Sequence, residues 1–314
     1  MNGVLVVDKP VGPTSFDVVA KVRRTVGVKR VGHGGTLDPL ASGVLPVCVG
    51  EATKLAPFLL EAEKEYEFTV RFGAETDTDD AGGRVTATAD ALALDASAVE
   101  AALGGFRGTI AQVPPAYAAI KRDGRALYDY ARAGEAIEVA PRAVTIFALE
   151  LVDFGGPDRV ALRVRCSKGT YVRALARDLG RTLRTGGHVT ALRRTRSGPF
   201  GLDVARPLDQ VLAVLAAGAG DLPVVSLADA LVHLPAVTAD DALARRLRAG
   251  QRVAWSALSD VPAGRVRILD ATGDLIAVAE PRADGLVHTL RVFGAASQKP
   301  ASDPTAGVDE GAIL

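Results

Sequence analysis

An aspartate in the segment GHGGTLDPLASG is the first residue of this 314-residue chain that invites a chemical reading. Asp38 stands between Leu37 and Pro39, and the proline confines its backbone to the β or polyproline region. A carboxylate on so rigid a loop suits a nucleophile or general base, although the same pattern also describes an ordinary turn. Glycines at 32, 34, 35 and 43 keep the segment out of a regular helix. It is not a phosphate loop, because no Gly-Lys-Ser or Gly-Lys-Thr ending follows. His33, just upstream, can orient a substrate or contact a phosphate, or serve as a hydrogen-bonded structural group.

Two further features support chemistry at this place. Aromatic residues make up only 5% of the chain, so Tyr66 at the start of the alternating segment YEFTVRFG stands out. Its ring can cap a core, or stack on an extruded base. Between residues 163 and 196 the cations are Arg163, Arg165, Lys168, Arg173, Arg177, Arg181, Arg184, Arg193, Arg194 and Arg196, with Asp178 the one acid. In the helix expected from about 171 to 183, Val172, Leu175, Leu179 and Leu183 form an apolar stripe. Arg173, Arg177, Arg181 and Arg184 are left on another side, near SKGTY with its Lys168 and Tyr171. With Lys21, Arg23, Arg24, Lys29 and Arg30 upstream, these unpaired cations predict a phosphate-binding cleft, or a merely solvated helix face.

The elements that must position these residues read as an α+β protein with a mixed or antiparallel sheet. GVLVVDKP is a buried strand ending in a Pro-Gly-Pro turn, and Ser15 is the expected cap of the next helix. VLPVCVG and YEFTVRFG are strands, the latter ending in the acidic turn ETDTDDAGG. A helix begins near Asp95 or Ser97, with a capping box expected between Ser97 and Glu100. Residues 112–141, rich in Pro, Tyr and Arg, read as a large loop or small subdomain that carries Tyr117, Tyr128 and Tyr130. TIFALELVDF and RVALRVRC follow as strands. Composition changes after Phe200: a closing helix leads to a small β-rich C-terminal module and a tail with no core pattern.

Composition narrows the function classes. Lys plus Arg and Asp plus Glu both number 37, so any hold on a polyanion must come from local charge. Two cysteines and four scattered histidines offer neither a disulfide framework nor zinc-ligand spacing. No secretory leader is visible, and LAVLAAGAG is too short to span a bilayer, so a cytoplasmic protein is expected.

Six ordered segments together resemble the bacterial TruB-type tRNA pseudouridine synthases, which isomerise uridine 55 of the T-loop. They are VLVVDKPVGPTSFDVV, GHGGTLDPLASGVLPVCVGEATK, KEYEFTVRFGAETDTDDAGG, PPAYAAIKRDGRALYDYAR, CSKGTYVRALARDLG and HVTALRRTRSGPF. The resemblance covers about residues 3–200 closely and the C-terminal module more loosely. It implies a pseudouridine synthase domain at 1–222, an RNA-contacting insert at about 112–142 and a PUA-like RNA-binding module at 223–294, while the tail at 295–314 reads as disordered from its composition. Asp38 resembles the catalytic aspartate, Tyr66 the tyrosine that stacks on the base, and Arg173 the arginine that pairs with the carboxylate. His33 resembles a residue holding the flipped nucleotide, Leu192 an apolar pocket residue, and Lys9 the lysine of a KPxG-type opening. Lys168 and Tyr171 complete the substrate-binding set that the resemblance implies. At 117–119 the chain reads YAA where members commonly have YSA. The resemblance further implies a tRNA T-arm stem-loop as substrate, no cofactor or metal, and no obligatory protein partner; a monomer is the default. A noncatalytic tRNA-binding or folding protein, and an enzyme of small nucleosides or nucleotides, are the alternatives.

Overall fold

The structure, a computed structural model, describes residues 1–294 apart from 92–93, 119, 123, 136, 138, 219–222 and 259–263. The tail at 295–314 and Ala119 therefore lie outside the described residues. The chain forms two compact units, residues 1–234 and the remainder.

In the first unit, uninterrupted apolar sequence gives buried strands and alternating sequence gives half-buried ones. The run GVLVVDK is β1 (Gly3–Lys9), buried almost throughout. It leads into α1 (Ser15–Val26), which buries Val18, Val19 and Val22. Thr14, rather than Ser15, is the cap: it forms a capping box with Asp17, and Gly27 ends the helix with φ 64°. Ser15 is thus released for a different contact, described below. The strands β2 (Val31–His33) and β3 (Ala41–Val49) flank the Asp38 loop. Next come α2 (Ala56–Glu61), β4 (Lys64–Phe72), and the hairpin β5 (Ala74–Thr76) and β6 (Val85–Thr88) around the acidic turn.

The helix α3 (Ala96–Leu103) is capped by Asp95, whose side chain accepts from Ala98 N–H. The expected Ser97–Glu100 box does not form: Ser97 donates to Asp95 and Glu100 pairs with Arg107. Asp95 is the shorter acceptor and already occupies the orphan amide. After β7 (Gly108–Gln112), the insert contains a hairpin of β8 (Lys121–Arg122) and β9 (Arg125–Ala126), followed by α4 (Leu127–Arg132). The unit continues with β10 (Arg142–Phe154), β11 (Arg159–Cys166), α5 (Val172–Thr182) and β12 (Gly187–Ser197). It closes with β13 (Phe200–Gly201), β14 (Arg206–Pro207), α6 (Leu208–Ala216) and β15 (Val224–Val225). β15 pairs with β1, so the first unit runs past the junction at 222 read from the sequence.

Apart from the β5–β6 and β8–β9 hairpins, these strands make one sheet in the order β14-β1-β3-β12-β4-β11-β10-β7, with β2, β13 and β15 on its flanks. Most neighbours are antiparallel, while β1 runs parallel to β14 and β3 to β12, which makes this the mixed sheet of an α+β fold. The β3–β12 step brings two backbones very close. Gly43 has φ 104°, and a Cβ there would lie 2.2 Å from the Arg194 carbonyl oxygen. Glycine in LASGVLP is therefore required by the pairing. One core, including Leu45, Val47, Phe68, Val70, Val164, Leu175 and Leu179, joins the sheet to its helices.

The second unit holds a four-stranded sheet of β16 (Ala236–Thr238), β17 (Val266–Leu269), β18 (Leu275–Pro281) and β19 (Val287–Val292), in that order. Its helix α7 (Asp241–Arg248) buries Leu243, Ala244 and Leu247 in a small separate core.

Candidate active site

The loop between β2 and β3 presents Asp38, and three anchors hold it. Ser15 Oγ accepts Leu37 N–H at 2.8 Å and donates to Leu37 O at 3.1 Å. Gly12 N donates to Pro39 O at 2.8 Å, which ties down the far side of the aspartate. Arg194 donates from beneath to Gly35 O and Thr36 O, both at 3.1 Å, and to Val44 O at 2.8 Å. Lys9 is fully buried and donates to Pro10 O and Pro13 O at 2.8 Å, so it ties the turn that touches Pro39. Burial lowers its ammonium to about 8, with Arg194 adding to the fall and Asp38 opposing it.

With the loop fixed, 34% of the Asp38 side chain is exposed, and Arg173 Nε lies 2.8 Å from its Oδ2. The Nε–H is not aligned on that oxygen, so the contact is an ion pair rather than a hydrogen bond. Arg173 spends its other nitrogens on Thr78 O at 2.9 Å and Tyr117 O at 3.1 Å, with Asp80 Oδ2 3.6 Å away. One guanidinium thus links the Asp38 loop, the acidic turn and the insert, a geometry lysine cannot reproduce.

The acidic turn is more than a solvated bend. Asp80 Oδ1 accepts from Thr78 Oγ1 and Gly82 N, which fixes the carboxylate that faces Arg173. Asp79, in a left-handed conformation with φ 59°, pairs with Arg177 at 2.9 Å. Burial raises the Asp79 carboxyl to about 6, outweighing the opposing pull of Arg177, Arg173 and Arg181. Gln112, at the root of the insert, is buried and clamps Tyr171 at both backbone groups. Its Oε1 accepts Tyr171 N–H at 2.8 Å and its Nε2 donates to Tyr171 O at 3.1 Å.

A cavity of about 260 Å³ opens over this arrangement. Six of the eight residues read from the sequence line it: Asp38, Tyr66, Arg173, Leu192, Lys168 and Tyr171. Lys9 and His33 do not. Lys9 lies under the loop, and His33 stands at the end of β2 with its Nδ1 facing Gly35 N at 3.4 Å. Burial lowers the His33 imidazole, and Arg194 adds to that. The phenols of Tyr66 and Tyr171 are both raised by burial; Arg194 opposes the rise at Tyr66, and Asp38 reinforces it at both.

Arg194, Asp80 and Gln112 were not singled out in the sequence. Arg194 carried a signal: strand alternation in HVTALRRTRSG places it on the same face as Leu192. Asp80 and Gln112 carried none, because their partners are distant in the chain.

The expectation of an unpaired arginine surface is overturned for most of its members between residues 163 and 196, with Arg184, Arg194 and Arg196 excepted among the described residues. Arg163 pairs with Glu67 at 2.8 Å, Arg165 with Glu63 at 2.9 Å, Arg181 with Glu75 at 2.7 Å and Arg193 with Asp8 at 2.7 Å. Lys168 meets Glu61 at 3.4 Å, while Arg173 and Arg177 face Asp38 and Asp79. Apart from Asp178, the neutralising acids come from outside residues 163–196, which is why a local count missed them.

Comparison with known proteins places this geometry in a lineage. Residues 23–172 match the model of the TruB family pseudouridylate synthase (N terminal domain), and 173–232 that of the tRNA pseudouridylate synthase B C-terminal domain. Residues 235–293 match the model of pseudouridine synthase II TruB, C-terminal. The chain is 51% identical over 286 residues to the tRNA pseudouridine synthase B of Burkholderia pseudomallei (strain 668), covering 89% of this chain and 93% of that one. It is also 51% identical to the protein of that name from Gloeobacter violaceus (strain ATCC 29082 / PCC 7421), over 81% of this chain and 87% of the other. Among solved structures, a chain of an H/ACA RNP bound to a substrate RNA containing 2′-deoxyuridine superposes with a TM-score of 0.72 at 26% identity. That match covers 93% of this chain and 85% of the other. Sequence, fold and site geometry agree, and the chain belongs to the TruB family of pseudouridine synthases.

Proposed function

We propose that this protein converts uridine 55 of the tRNA T-loop to pseudouridine, with Asp38 as the catalytic carboxylate. The observation that carries the reading is the ion pair of Asp38 and Arg173 on the wall of a cavity shared with Tyr66 and Leu192. A uridine in a folded loop must leave its stack to reach such a cavity. There the Asp38 carboxylate either attacks C1′ of the ribose or removes the proton from C2′, and the N1–C1′ bond breaks so that the base leaves the ribose. Tyr66 stacks on the freed uracil and Leu192 supplies apolar wall, so reattachment through C5 is intramolecular rather than a fresh encounter. Arg173 positions the carboxylate, and no electron or foreign atom enters the product. Lys168 and Tyr171 on the cavity wall, with His33 and Lys9 behind the loop, contact or support the nucleotide.

The isolated T-arm stem-loop serves as the minimal substrate, with the insert against its backbone and the C-terminal unit acting as a PUA-like module on the rest of the tRNA. The protein works as a cytoplasmic monomer. The test is mass spectrometry of a T-arm stem-loop incubated with the protein in magnesium-free buffer. Pseudouridine is expected at the position of uridine 55 alone. A protein that binds the stem-loop without forming pseudouridine would instead be a noncatalytic tRNA-folding factor.

A further inference from the structure

Arg194 is 1% exposed, yet no aspartate or glutamate pairs with it among the described residues. A buried guanidinium is ordinarily matched by a carboxylate. Here three of its five N–H groups donate to the neutral carbonyls of Val44, Thr36 and Gly35, which solvate the charge without cancelling it. The group lines the cavity that holds Asp38, and strand register sets Arg194 opposite Tyr66. Lys64 shares the wall in the same condition. Its Nζ donates to Leu59 O, Leu60 O and Ala62 O, with no acid partner among the described residues. Burial, reinforced by Arg194, lowers this lysine to about 8, as expected for a second cation forced into the same region. Asp38, the acid on the cavity wall, is already paired with Arg173. The cavity therefore holds uncancelled positive charge where a base would sit.

The proposed reaction supplies a transient use for that charge. When the N1–C1′ bond breaks, its electron pair stays with uracil and spreads over N1, O2 and O4. C1′ becomes electron-deficient until Asp38 attacks it or takes the C2′ proton. C5 then bonds to C1′ as the Asp38 oxygen leaves it, or as Asp38 returns the C2′ proton; the C5 hydrogen leaves as a proton and N1 regains one, so nothing is lost. Between the first and last steps the base is an anion held in this cavity.

We infer that Arg194 is a second catalytic residue, whose buried guanidinium stabilises the negative charge on the departing uracil while its remaining hydrogen bonds hold the Asp38 loop. The inference rests on the pseudouridine-forming reading above. Preorganised cations aimed at developing charge are among the larger contributions to catalysis, because they need no reorganisation as the bond breaks.

The experiment must separate this role from a purely scaffolding one. T-arm stem-loops carrying uridine or 5-fluorouridine at the target position are reacted under single-turnover conditions, and loss of the N-linked nucleoside is followed. Fluorine stabilises the departing anion, so the fluorinated base depends less on a protein cation. Arg194→Met is expected to slow uridine turnover by about 10³-fold, the size found when a preorganised donor is removed. On 5-fluorouridine its loss should be about tenfold smaller, since the substrate supplies part of the missing stabilisation. Stem-loop Kd should stay within about threefold, because the charge matters after the base departs rather than on docking. Arg194→Gln keeps amide donors for the loop carbonyls and carries the same expectation should the methionine variant not fold. Wild-type protein should discriminate little between the two bases, whatever the variants do. Equal slowing on both substrates, or strong discrimination by the wild type, overturns the role of Arg194. Absence of pseudouridine from the wild-type reaction would instead sink the underlying function.

Discussion

Two neighbouring elements, α5 and β12, each send an arginine into the same cavity, and they handle the charge in opposite ways. On α5, Arg173 meets Asp38 at 2.8 Å and Asp80 at 3.6 Å, and one turn later Arg177 meets Asp79 and Asp178. On β12, Arg194 donates to three carbonyls and meets no acid among the described residues. The helix arginines are committed to acids and act as ties, fixing the Asp38 loop, the acidic turn and the insert to one another. The strand arginine keeps its field. A count of cations cannot distinguish the two, because what a buried charge can do depends on whether a counter-charge sits beside it.

The hardest blow to this contrast comes from the α5 side. Asp38→Asn should fold and bind a T-arm stem-loop, because Arg173 still has Asp80 nearby and its two carbonyl acceptors. Pseudouridine formation in a tritium-release assay should fall by about 10⁴-fold or more, since an amide neither attacks C1′ nor accepts a proton. Near-wild-type conversion would remove Asp38 from the mechanism.

A smaller change tests whether Arg173 is a tie or a charge. Arg173→Lys preserves the charge but cannot reach Asp38, Thr78 O and Tyr117 O together. Single-turnover rate should drop by about 10²-fold through misplacement of the carboxylate, with stem-loop affinity little altered. Unchanged turnover would show that the guanidinium's shape is irrelevant, and the contrast with Arg194 would lose its α5 half.

What could be read from the chain follows the same division. Strands and helices were legible because burial writes its period into adjacent residues, as in the continuous run GVLVVDK and the stripe Val172, Leu175 and Leu179. Asp38, Tyr66 and Arg173 could be named because their segments resemble a known family. The pairing state of the arginines was not legible, since Glu67 and Arg163 are 96 residues apart and meet only through the β4–β11 register. Ser15 was misread for a related reason. Local propensity makes it a cap, but the adjacent Thr14 takes that role and frees Ser15 to hold Leu37. Gly43 was visible as a helix breaker, while the actual reason for it, the Arg194 backbone, lies about half the chain away.

The finest test asks whether the α5 ties are themselves stabilising. Asp79 sits 2.9 Å from Arg177, yet its carboxyl rises to about 6 because burial outweighs the attraction. Its folded value is thus above the ordinary 3.8, so the folded protein holds this proton more tightly than the unfolded chain. The resulting contribution is fully present below about pH 4 and is lost as pH rises through 6, opposite to a carboxylate lowered by its partner. Asp79→Asn removes that titration while leaving the other acids in place. The melting temperature of the wild type relative to Asp79→Asn should therefore fall between pH 4 and pH 6 and level off above that range. A relative stability that climbs through the same window would mean that the pair with Arg177 outweighs burial, and that α5 gains stability from its acids rather than only position.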